Sequence, residues 1–544
     1  MLLYHKALPI TSFDMKGTDF MSNNFKQPEW LDNAVFYEIY PQSFMDSNGD
    51  GIGDFRGIIS KLDYIKELGC NAIWLNPCFK SPFGDAGYDV EDYFTAAERY
   101  GTNQDLYDLF DEVHKKGMHC ILDLVPGHTA VTHKWFRESM KAEKNEFTHR
   151  YIWSDSIWEN TAPLECIRGI SDRDGSAAVN FFSHQPALNY GYFRPEKPWQ
   201  HSMDSEDALS TVEAVKDIMR FWLKSGCDGF RVDMAGSLVK GDNENSDGNV
   251  ALWQKFRKFL NEEFPDAAMI SEWGEPDRSL RGGFHMDFLL HFGPSHYNDL
   301  FRCEEPYFSS RGKGEIEEFL KIYTENLGKT NGKGLICIPS GNHDMDRLRR
   351  HLTAEEMKIA FAFLLTMPGA PFIYYGDEIG MRYVENIVSV EGGYGRTGSR
   401  SPMQWNSSPN AGFSSASEDK LYIPIDPDLN RPNAESEMND ENSLRSEIKR
   451  LIGFRQKHSA LQSRANIRFI TAKGYPLVYE RSSGAEKLLI IINPSGKPAE
   501  FEYSGKLGAV LYSYSGKISQ NAGKVTVSGQ TAAVIELTQK TKTD

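Results

Sequence analysis

Short apolar runs alternate with amphipathic stretches from about residue 33 to about residue 380. Between the runs lie stretches with one apolar face, such as residues 57–68 and a stretch that begins at Thr102, where Asp105 completes a capping box. This alternation is typical of βα units, and eight units predict a closed parallel (β/α)8 TIM barrel. The eight predicted strands are residues 34–40, 72–75, 120–125, 229–233, 268–271, 286–290, 335–338 and 371–375.

Three departures from this rhythm predict the domain organisation. A long aromatic and polar stretch predicts a small domain inserted after strand 3, and a stretch rich in Gly, Ser, Asn and Pro at 381–442 predicts long ordered loops before a last helix near 446–458. Short strands at 488–492, 510–514, 525–527 and 534–537 predict a C-terminal antiparallel β-sandwich. The predicted segments are an N-terminal extension at 1–30, the barrel at 31–128 and 211–462, the inserted domain at 129–210, and the C-terminal domain at 463–544.

Composition narrows the range of functions. A net charge of −16 over 544 residues argues against a nucleic-acid partner. The seven cysteines are scattered and form no CxxC pair, which favours a reducing, cytoplasmic location. Residues 1–19 lack the pattern of a signal peptide, no run is long enough to span a membrane, and Met1 and Met21 are both possible starts. No feature indicates an oligomeric state.

Carboxylates close four of the predicted strands, in the segments 123–128, 229–234, 270–273 and 341–344. A parallel barrel gathers the ends of its strands at one mouth, where chemistry takes place. Arg231 and Asp233 are two positions apart and therefore share a strand face, where the cation would keep the carboxylate ionised as a nucleophile. A structural ion pair is the alternative interpretation of these two residues.

Glu272 ends an apolar strand beside Trp273, and a carboxyl in such surroundings has a raised pKa and can serve as a general acid. Glu275 is the alternative acid in the same segment, and a solvated glutamate without a role is the simpler interpretation. Two carboxyl groups that flank a sugar cleave glycosidic bonds. A metal hydrolase built on Asp123, His128, His343 and Asp344 is a weaker hypothesis because no HExxH spacing accompanies these residues.

Together these segments resemble the four signature regions of glycoside hydrolase family 13, the α-amylase family, and they occur in the family's order. Residues 37–44 and 367–381 resemble its first and eighth strands. The resemblance implies a retaining mechanism. In that mechanism Asp233 is the nucleophile, Glu272 the acid/base and Asp344 the carboxylate that orients the sugar, and the −1 subsite would bind glucose through Arg231, His128 and His343.

A second set of residues resembles the α-glucosidase and oligo-1,6-glucosidase branch of that family. In that branch an aspartate pairs with an arginine of a late loop, and the pair closes the far end of the pocket. The matching residues of this chain are Asp85 and Arg400. Tyr88 would stack on the terminal glucose. This closure implies an exo-acting enzyme, and a surface ion pair without a role in the pocket is the alternative.

Residues 46–54 match the first half of a calcium loop, and the same branch carries a structural calcium site there. Position twelve of the loop is Gly57 and not glutamate, so the loop is not an EF-hand. A magnesium site or a metal-free turn is the alternative. No organic cofactor is indicated. The predicted oxygen ligands are Asp46, Asn48, Asp50, the carbonyl of Ile52, and Asp54.

Three positions depart from the family pattern. Gly127 replaces an asparagine, which argues against a second calcium site, and Ala187 replaces an aspartate of the branch. Met234, after the predicted nucleophile, fits neither an α-1,4 nor an α-1,6 preference. The expected function is a retaining exo-α-glucosidase acting on a small oligosaccharide or disaccharide. The alternatives are a transglucosidase or isomerase on the same fold, such as a trehalose synthase or a sucrose-active enzyme, and a non-catalytic barrel that acts as an interaction protein.

Overall fold

The computed structural model describes residues 27–537, so most of the predicted N-terminal extension, Met21 and residues 538–544 lie outside the described residues. Eight parallel strands pair in the order β7-β6-β5-β4-β3-β2-β1-β8. A parallel bridge between Pro339 and Phe372 joins the ends of this order, which closes the predicted barrel. The strands are β1 (Phe36–Ile39), β2 (Ala72–Leu75), β3 (His119–Leu124), β4 (Gly229–Val232), β5 (Ala268–Ser271), β6 (Met286–Phe288), β7 (Leu335–Cys337) and β8 (Phe372–Tyr374).

Helices follow the barrel strands and cover their outer faces. The predicted helix at 57–68 is broken at Lys61 into two segments, and the predicted capping box of Thr102 and Asp105 is present. The helices are α1 (Phe55–Ser60 continued by Leu62–Leu68), α2 (Asn103–Lys115), α3 (Glu206–Lys224), α4 (Asp247–Glu263), α5 (Pro276–Gly282), α6 (Glu317–Thr330), α7 (Ala354–Thr366) and α8 (Leu444–Lys457), with shorter helices at Lys134–Ser139, Tyr297–Phe301 and Ala434–Met438. Across residues 27–537, no helix is both long and apolar enough to cross a membrane.

The strands of the barrel are buried almost without interruption, as expected when helices cover a parallel sheet and side chains fill its interior. Gly229 at the start of β4 shows how closely the strands approach. Its φ is +148°, and a Cβ there would lie 2.2 Å from the carbonyl oxygen of Ala268 on β5. Only glycine therefore allows β4, which carries Arg231 toward the mouth, to pair with β5 at this point.

The chain between β3 and α3 forms a small unit of its own. A two-stranded ribbon pairs Cys166–Arg168 with Ser176–Ala178, and a second ribbon, Phe79–Lys80 with Asp92–Ala96, precedes it after β2. The unit has a separate apolar cluster. The predicted boundary of this unit was residue 210, whereas α3 already begins at Glu206, where the side chain of Ser205 caps it. The buried residues of the cluster are Ile152, Ala178, Ala187, Tyr192 and Trp199.

The C-terminal region consists of two antiparallel sheets, as predicted for a sandwich. One sheet has the order β9-β10-β11-β16-β13, and the other has the order β12-β15-β14. Four of the eight strands, at 466–471, 477–483, 499–502 and 518–521, were not predicted. The strands are β9 (Asn466–Thr471), β10 (Leu477–Ser483), β11 (Glu486–Asn493), β12 (Ala499–Glu502), β13 (Val510–Tyr514), β14 (Ile518–Asn521), β15 (Lys524–Val527) and β16 (Thr531–Glu536).

Strand β11 joins this region to the barrel. Leu488, Ile490 and Ile492 belong to the main core, whereas Leu489 and Ile491 pack into the smaller core between the two sheets. Successive side chains of a strand point to opposite faces, so β11 is buried on both. The C-terminal region therefore shares its core with the barrel.

Two buried arginines strengthen that junction. Arg455 of α8 donates hydrogen bonds to the carbonyl oxygens of Leu365 (2.9 Å), Met367 (3.0 Å) and Gly369 (2.7 Å) at the end of α7. Arg481 of β10 donates to the carbonyl of Thr366. The last carbonyls of a helix lack partners within the helix and carry partial negative charge, so these arginines satisfy and neutralise the end of α7.

Candidate active site

The guanidinium of Arg231 lies between three carboxylates at the mouth of the barrel. Its Nη1 atom is 2.7 Å from Asp123 Oδ1 and 3.1 Å from Asp233 Oδ1, and its Nη2 atom is 2.6 Å from Glu272 Oε1. The arginine side chain is only 1% exposed. The structure thus brings the predicted residues of β3, β4 and β5 into direct contact around one cation.

Asp233 and Glu272 influence each other's protonation. Burial and the nearby charge of Glu272 raise the pKa of Asp233, against the effect of Arg231. Burial likewise raises the pKa of Glu272. The pair therefore holds a proton to higher pH than an exposed carboxyl does, and that is what acid catalysis near neutral pH requires.

Hydrogen bonds on both sides fix the position of Glu272. Its Oε2 atom accepts the N–H of Met234 at 3.2 Å. Met234 has a φ of 43° and a ψ of 42°, a left-handed conformation that is unusual for a side chain of this size. Behind the turn, Asp287 accepts the hydroxyl of Ser271 (2.7 Å) and the N–H of Trp273 (3.1 Å), and burial raises its pKa to about 7.

The alternative acid Glu275 is placed differently. It precedes α5, and its carboxylate pairs with Arg278 of that helix at 2.6 Å. Glu272, by contrast, contacts the buried arginine at the centre of the site. The structure therefore favours Glu272 within this segment.

Asp344 is held by two arginines. Its Oδ1 atom is 2.7 Å from Arg396 Nη1 and 2.8 Å from Arg400 Nη2, and its Oδ2 atom is 3.3 Å from His343 Nε2. Burial acts to raise the pKa of Asp344, but the charges around it outweigh burial and hold that pKa below its usual range. Asp344 is therefore ionised at neutral pH.

His343 is fixed by a hydrogen bond at each ring nitrogen. Nδ1 is 2.9 Å from Glu38 Oε1, and Nε2 is 2.8 Å from the hydroxyl of Tyr88. The rings of Tyr88 and His343 stack with centroids 5.3 Å apart. Burial lowers the pKa of His343 well below its usual value, so the imidazole is neutral.

His128 is also neutral, since burial lowers its pKa to about 4. Its Nε2 atom lies 2.9 Å from the carbonyl of Tyr88, and its Nδ1 atom accepts from the side-chain amide of Asn180 at 3.1 Å. A sugar hydroxyl would thus have to replace one of these partners. Asn180 also accounts for Gly127, because a Cβ at Gly127 would lie 2.6 Å from the Asn180 amide nitrogen.

The predicted pair of Asp85 and Arg400 is wrong in its choice of arginine. Arg396 Nη2 is 3.8 Å from Asp85 Oδ1, whereas the guanidinium of Arg400 binds Asp344 and donates through Nε to the carbonyl of His343 at 2.9 Å. Gln185 donates to Asp85 Oδ2 at 2.8 Å. Burial raises the pKa of Asp85 to about 6. The arginine one turn earlier in the 3-10 helix Tyr394–Ser399 reaches Asp85 instead.

The structure does not favour the metal-hydrolase alternative. Asp123 accepts hydrogen bonds from Arg231 and from the indole of Trp74, and both histidines already use their ring nitrogens. Among residues 27–537, the side chains whose ligand atoms converge as a metal site would require lie elsewhere in the fold. The polar groups at the barrel mouth bind one another and leave no convergent ligand set.

A closed parallel barrel with ionised and protonatable carboxyls around a buried arginine at its mouth is the arrangement expected of a glycoside hydrolase. Residues 38–464 match the family described as Alpha amylase, catalytic domain. The chain therefore belongs to the α-amylase family, glycoside hydrolase family 13, and it is an enzyme of that class.

Similar proteins fall into two groups by their names. The chain is 32% identical over 539 residues to an oligo-1,6-glucosidase of Parageobacillus thermoglucosidasius, covering 87% of this chain and 92% of that protein. It is 31% identical over 494 residues to a trehalose synthase/amylase of Mycolicibacterium smegmatis, covering 79% and 77%. Glucosidases and trehalose synthases are thus both represented among the names of its relatives.

Solved structures show the same division. A mutant of MutB in complex with the substrate sucrose has a TM-score of 0.79 at 25% identity, covering 94% of this chain and all of that chain. A trehalose-6-phosphate hydrolase of Bacillus licheniformis has a TM-score of 0.77 at 26% identity, covering 94% and 100%. The fold is common to both activities.

Four residues with clear positions in the site were missed from the sequence. Glu38 is a charged residue within an apolar strand, and a charge buried there needs a polar partner. The sequence therefore contained a signal for this residue. Arg396 lies in the short 3-10 helix Tyr394–Ser399, and Asn180 lies in irregular chain of the inserted unit. No periodicity in either segment indicates which side chain points inward. Asp287 sits in β6 with an apolar neighbour on either side, the same signal as at Glu38.

A double-mutant cycle tests which arginine supports Asp85. Asp85→Asn combined with Arg396→Gln is expected to show a coupling of about 0.5–3 kcal/mol in kcat/KM, because these side chains interact directly. The matched control pairs Asp85→Asn with Arg400→Gln and is expected to show a smaller coupling. An equal or larger coupling with Arg400 would contradict the assignment.

Proposed function

We propose that this chain is a retaining, exo-acting α-glucosidase that releases terminal non-reducing glucose from short α-glucosides. The single observation that carries the proposal is the contact of Arg231 with both Asp233 and Glu272 at the barrel mouth. Two carboxyls held by one cation are close neighbours, as a covalent retaining mechanism needs. The partner is a small saccharide, in line with the sucrose bound in a similar structure.

In this proposal each carboxyl has one task. Glu272 gives its proton to the glycosidic oxygen while Asp233 attacks the anomeric carbon, forming a covalent glucosyl ester and releasing the leaving sugar. Glu272, now ionised, takes a proton from water, which attacks the ester and frees Asp233. Asp344, kept anionic by Arg396 and Arg400, accepts hydrogen bonds from the sugar hydroxyls.

The exo-acting mode is supported by a continuous polar connection across one side of the site. Arg396 reaches both Asp344 (2.7 Å) and Asp85 (3.8 Å), and it donates to the carbonyl of Gly392 at 2.9 Å. Gln185 holds Asp85 from the inserted unit. Side chains from three loops thus meet where a longer glucan would have to pass, and we propose that they limit the pocket to one terminal glucose.

A transglucosidase or isomerase is the second candidate, and the relatives named trehalose synthase favour it. In that case a sugar instead of water attacks the covalent ester. Met234 is the residue of this chain that bears on the choice, since its backbone contacts Glu272 and its sulfur lies 3.7 Å from Asn180. A bulky apolar side chain beside the acid can exclude water or orient an acceptor.

Removal of the proposed nucleophile tests the chemistry. Asp233→Asn is expected to lower kcat by at least about 10³-fold, because the amide cannot form the ester. Asp266→Asn, the same change at an exposed aspartate, is the control and should leave kcat unchanged. Unfolding by urea should show that both variants fold. Substantial turnover by the Asp233 variant would contradict the assignment.

Product analysis separates the two candidates. With maltose, isomaltose, trehalose, sucrose, kojibiose and nigerose as substrates, the α-glucosidase is expected to release glucose as the α anomer, followed by proton NMR. A β product would exclude a retaining mechanism. Isomerised disaccharides in place of free glucose would reject hydrolysis as the main reaction and support the transglucosidase.

We also propose that residues 46–54 bind a structural Ca²⁺ ion, with Mg²⁺ as the alternative. The side-chain oxygens of Asp46, Asn48 and Asp50 each accept the N–H two residues ahead, at 3.0, 2.9 and 2.9 Å. Such successive turns curl the loop, and an all-oxygen donor set suits a hard cation. Asp54 ends the loop as the N-cap of α1.

Chelation tests this site. EGTA is expected to lower the unfolding temperature, and added Ca²⁺ should restore it, because the ion binds only the folded loop. Asp50→Ala should abolish the response, whereas Asp266→Ala should keep it. Restoration by Mg²⁺ at equal concentration would assign the loop to magnesium, and an unchanged unfolding temperature would reject a structural ion.

A cytoplasmic location is a further part of the proposal. It is supported by the seven cysteines, all of which are free thiols in the structure. Five of them are buried.

A further inference from the structure

A second cluster of ionisable side chains lies away from the catalytic carboxylates. His149 and His201 belong to the segment between β3 and α3, and Asp207 lies in the first turn of α3. One ligand atom from each of these three side chains lies within 4.8 Å of the other two. Within the described part of the chain, this is the group of histidine and acidic side chains that converges in this way.

The contacts inside the cluster are close but leave one nitrogen without a hydrogen bond. His201 Nδ1 is 3.0 Å from Asp207 Oδ2, and the two imidazole rings are 4.6 Å apart with their planes at 53°. His201 Nδ1 is inaccessible to solvent, yet it makes no hydrogen bond. Although the Asp207 carboxylate is close to this nitrogen, the angle between them does not suit a hydrogen bond. A buried nitrogen in this state requires a partner.

Another group of the same composition provides a contrast. His114 and His119 both hydrogen-bond to Asp228, at 2.9 and 3.2 Å, and the N–H of Cys120 donates to the same carboxylate. The ring nitrogens there point at the oxygen atoms and are satisfied. The cluster at His201 differs because its ring nitrogen lacks such a bond.

We propose that His149, His201 and Asp207 bind a divalent transition-metal ion of the zinc class, with water as the fourth ligand. Zinc takes imidazole nitrogen at about 2.0–2.1 Å and carboxylate oxygen at about 2.0–2.2 Å in tetrahedral geometry. The three ligand atoms now lie within 4.8 Å of one another and would have to move closer together around the ion. The mixed nitrogen and oxygen donors distinguish this site from the all-oxygen loop at 46–54.

The backbone around the three ligands is already fixed. The carbonyl of His149 accepts the side-chain amide of Asn189 at 2.9 Å, and the carbonyl of His201 accepts the N–H of Tyr192 at 2.7 Å. Asp207 is held by the helix that Ser205 caps. The ion would therefore fasten two points of the inserted segment to a barrel helix without reorganising either.

The charges near the cluster are compatible with a cation. Lys144 and Arg173 are the cations near the ring of His149. Arg173 is directed away, since it donates to the carbonyls of Thr148 (2.6 Å) and Ser139 (3.3 Å).

Zinc titration of the full chain tests the proposal. Protein stripped with a chelator is returned to excess Ca²⁺, which occupies the oxygen loop, and ZnCl₂ is then titrated by calorimetry. One equivalent is expected to bind and to raise the unfolding temperature. His201→Ala and Asp207→Asn should lose this step, whereas His114→Ala, the matched control from the hydrogen-bonded group, should keep it.

Cobalt provides an independent signature. Co²⁺ bound at His201 is expected to give the visible absorption of a tetrahedral ion, and His149→Ala should abolish it. Absence of a one-equivalent step would overturn the proposal. An unchanged step in the His201 or Asp207 variant, or an equal loss in the His114 control, would also overturn it.

Discussion

The buried guanidinium of Arg231 is shared by Asp123, Asp233 and Glu272, and the barrel mouth is arranged around it. One positive charge among three carboxyls cannot neutralise all of them in a medium from which water is excluded. The pair of Asp233 and Glu272 therefore retains a proton, as the upward shift of both pKa values shows. Burial is the largest cause of both shifts, and the surplus of carboxyls around one guanidinium adds to it.

The other end of the site has the opposite balance. Asp344 meets two arginines, so it stays ionised, while His128 and His343 remain neutral because burial penalises the imidazolium. Each histidine is then a directional hydrogen-bonding group and adds no charge. The site thus separates a proton-holding side, at Asp233 and Glu272, from a permanently anionic side at Asp344.

Sequence patterns predicted the barrel well because its strands are apolar on both faces and end in carboxylates. They failed where burial is one-sided: Ile518–Asn521 alternates half-buried and exposed residues and carries three polar side chains, so it resembles a loop. They also failed over Arg400 and Arg396, four positions apart, because the reach of a long side chain depends on how a loop folds. His149, His201 and Asp207 have no local spacing in common, and only the folded chain brings them together.

Arg455 and Arg481 have a consequence for the order in which the protein is made. The end of α7 is complete in sequence at residue 366, but the arginine that binds the carbonyl of Thr366 comes from β10. During synthesis on the ribosome, the carbonyl of Thr366 must therefore wait for more than a hundred further residues to emerge before it meets this partner. The polar contacts at this helix end are thus completed only by a domain that contributes none of the carboxylates at the barrel mouth.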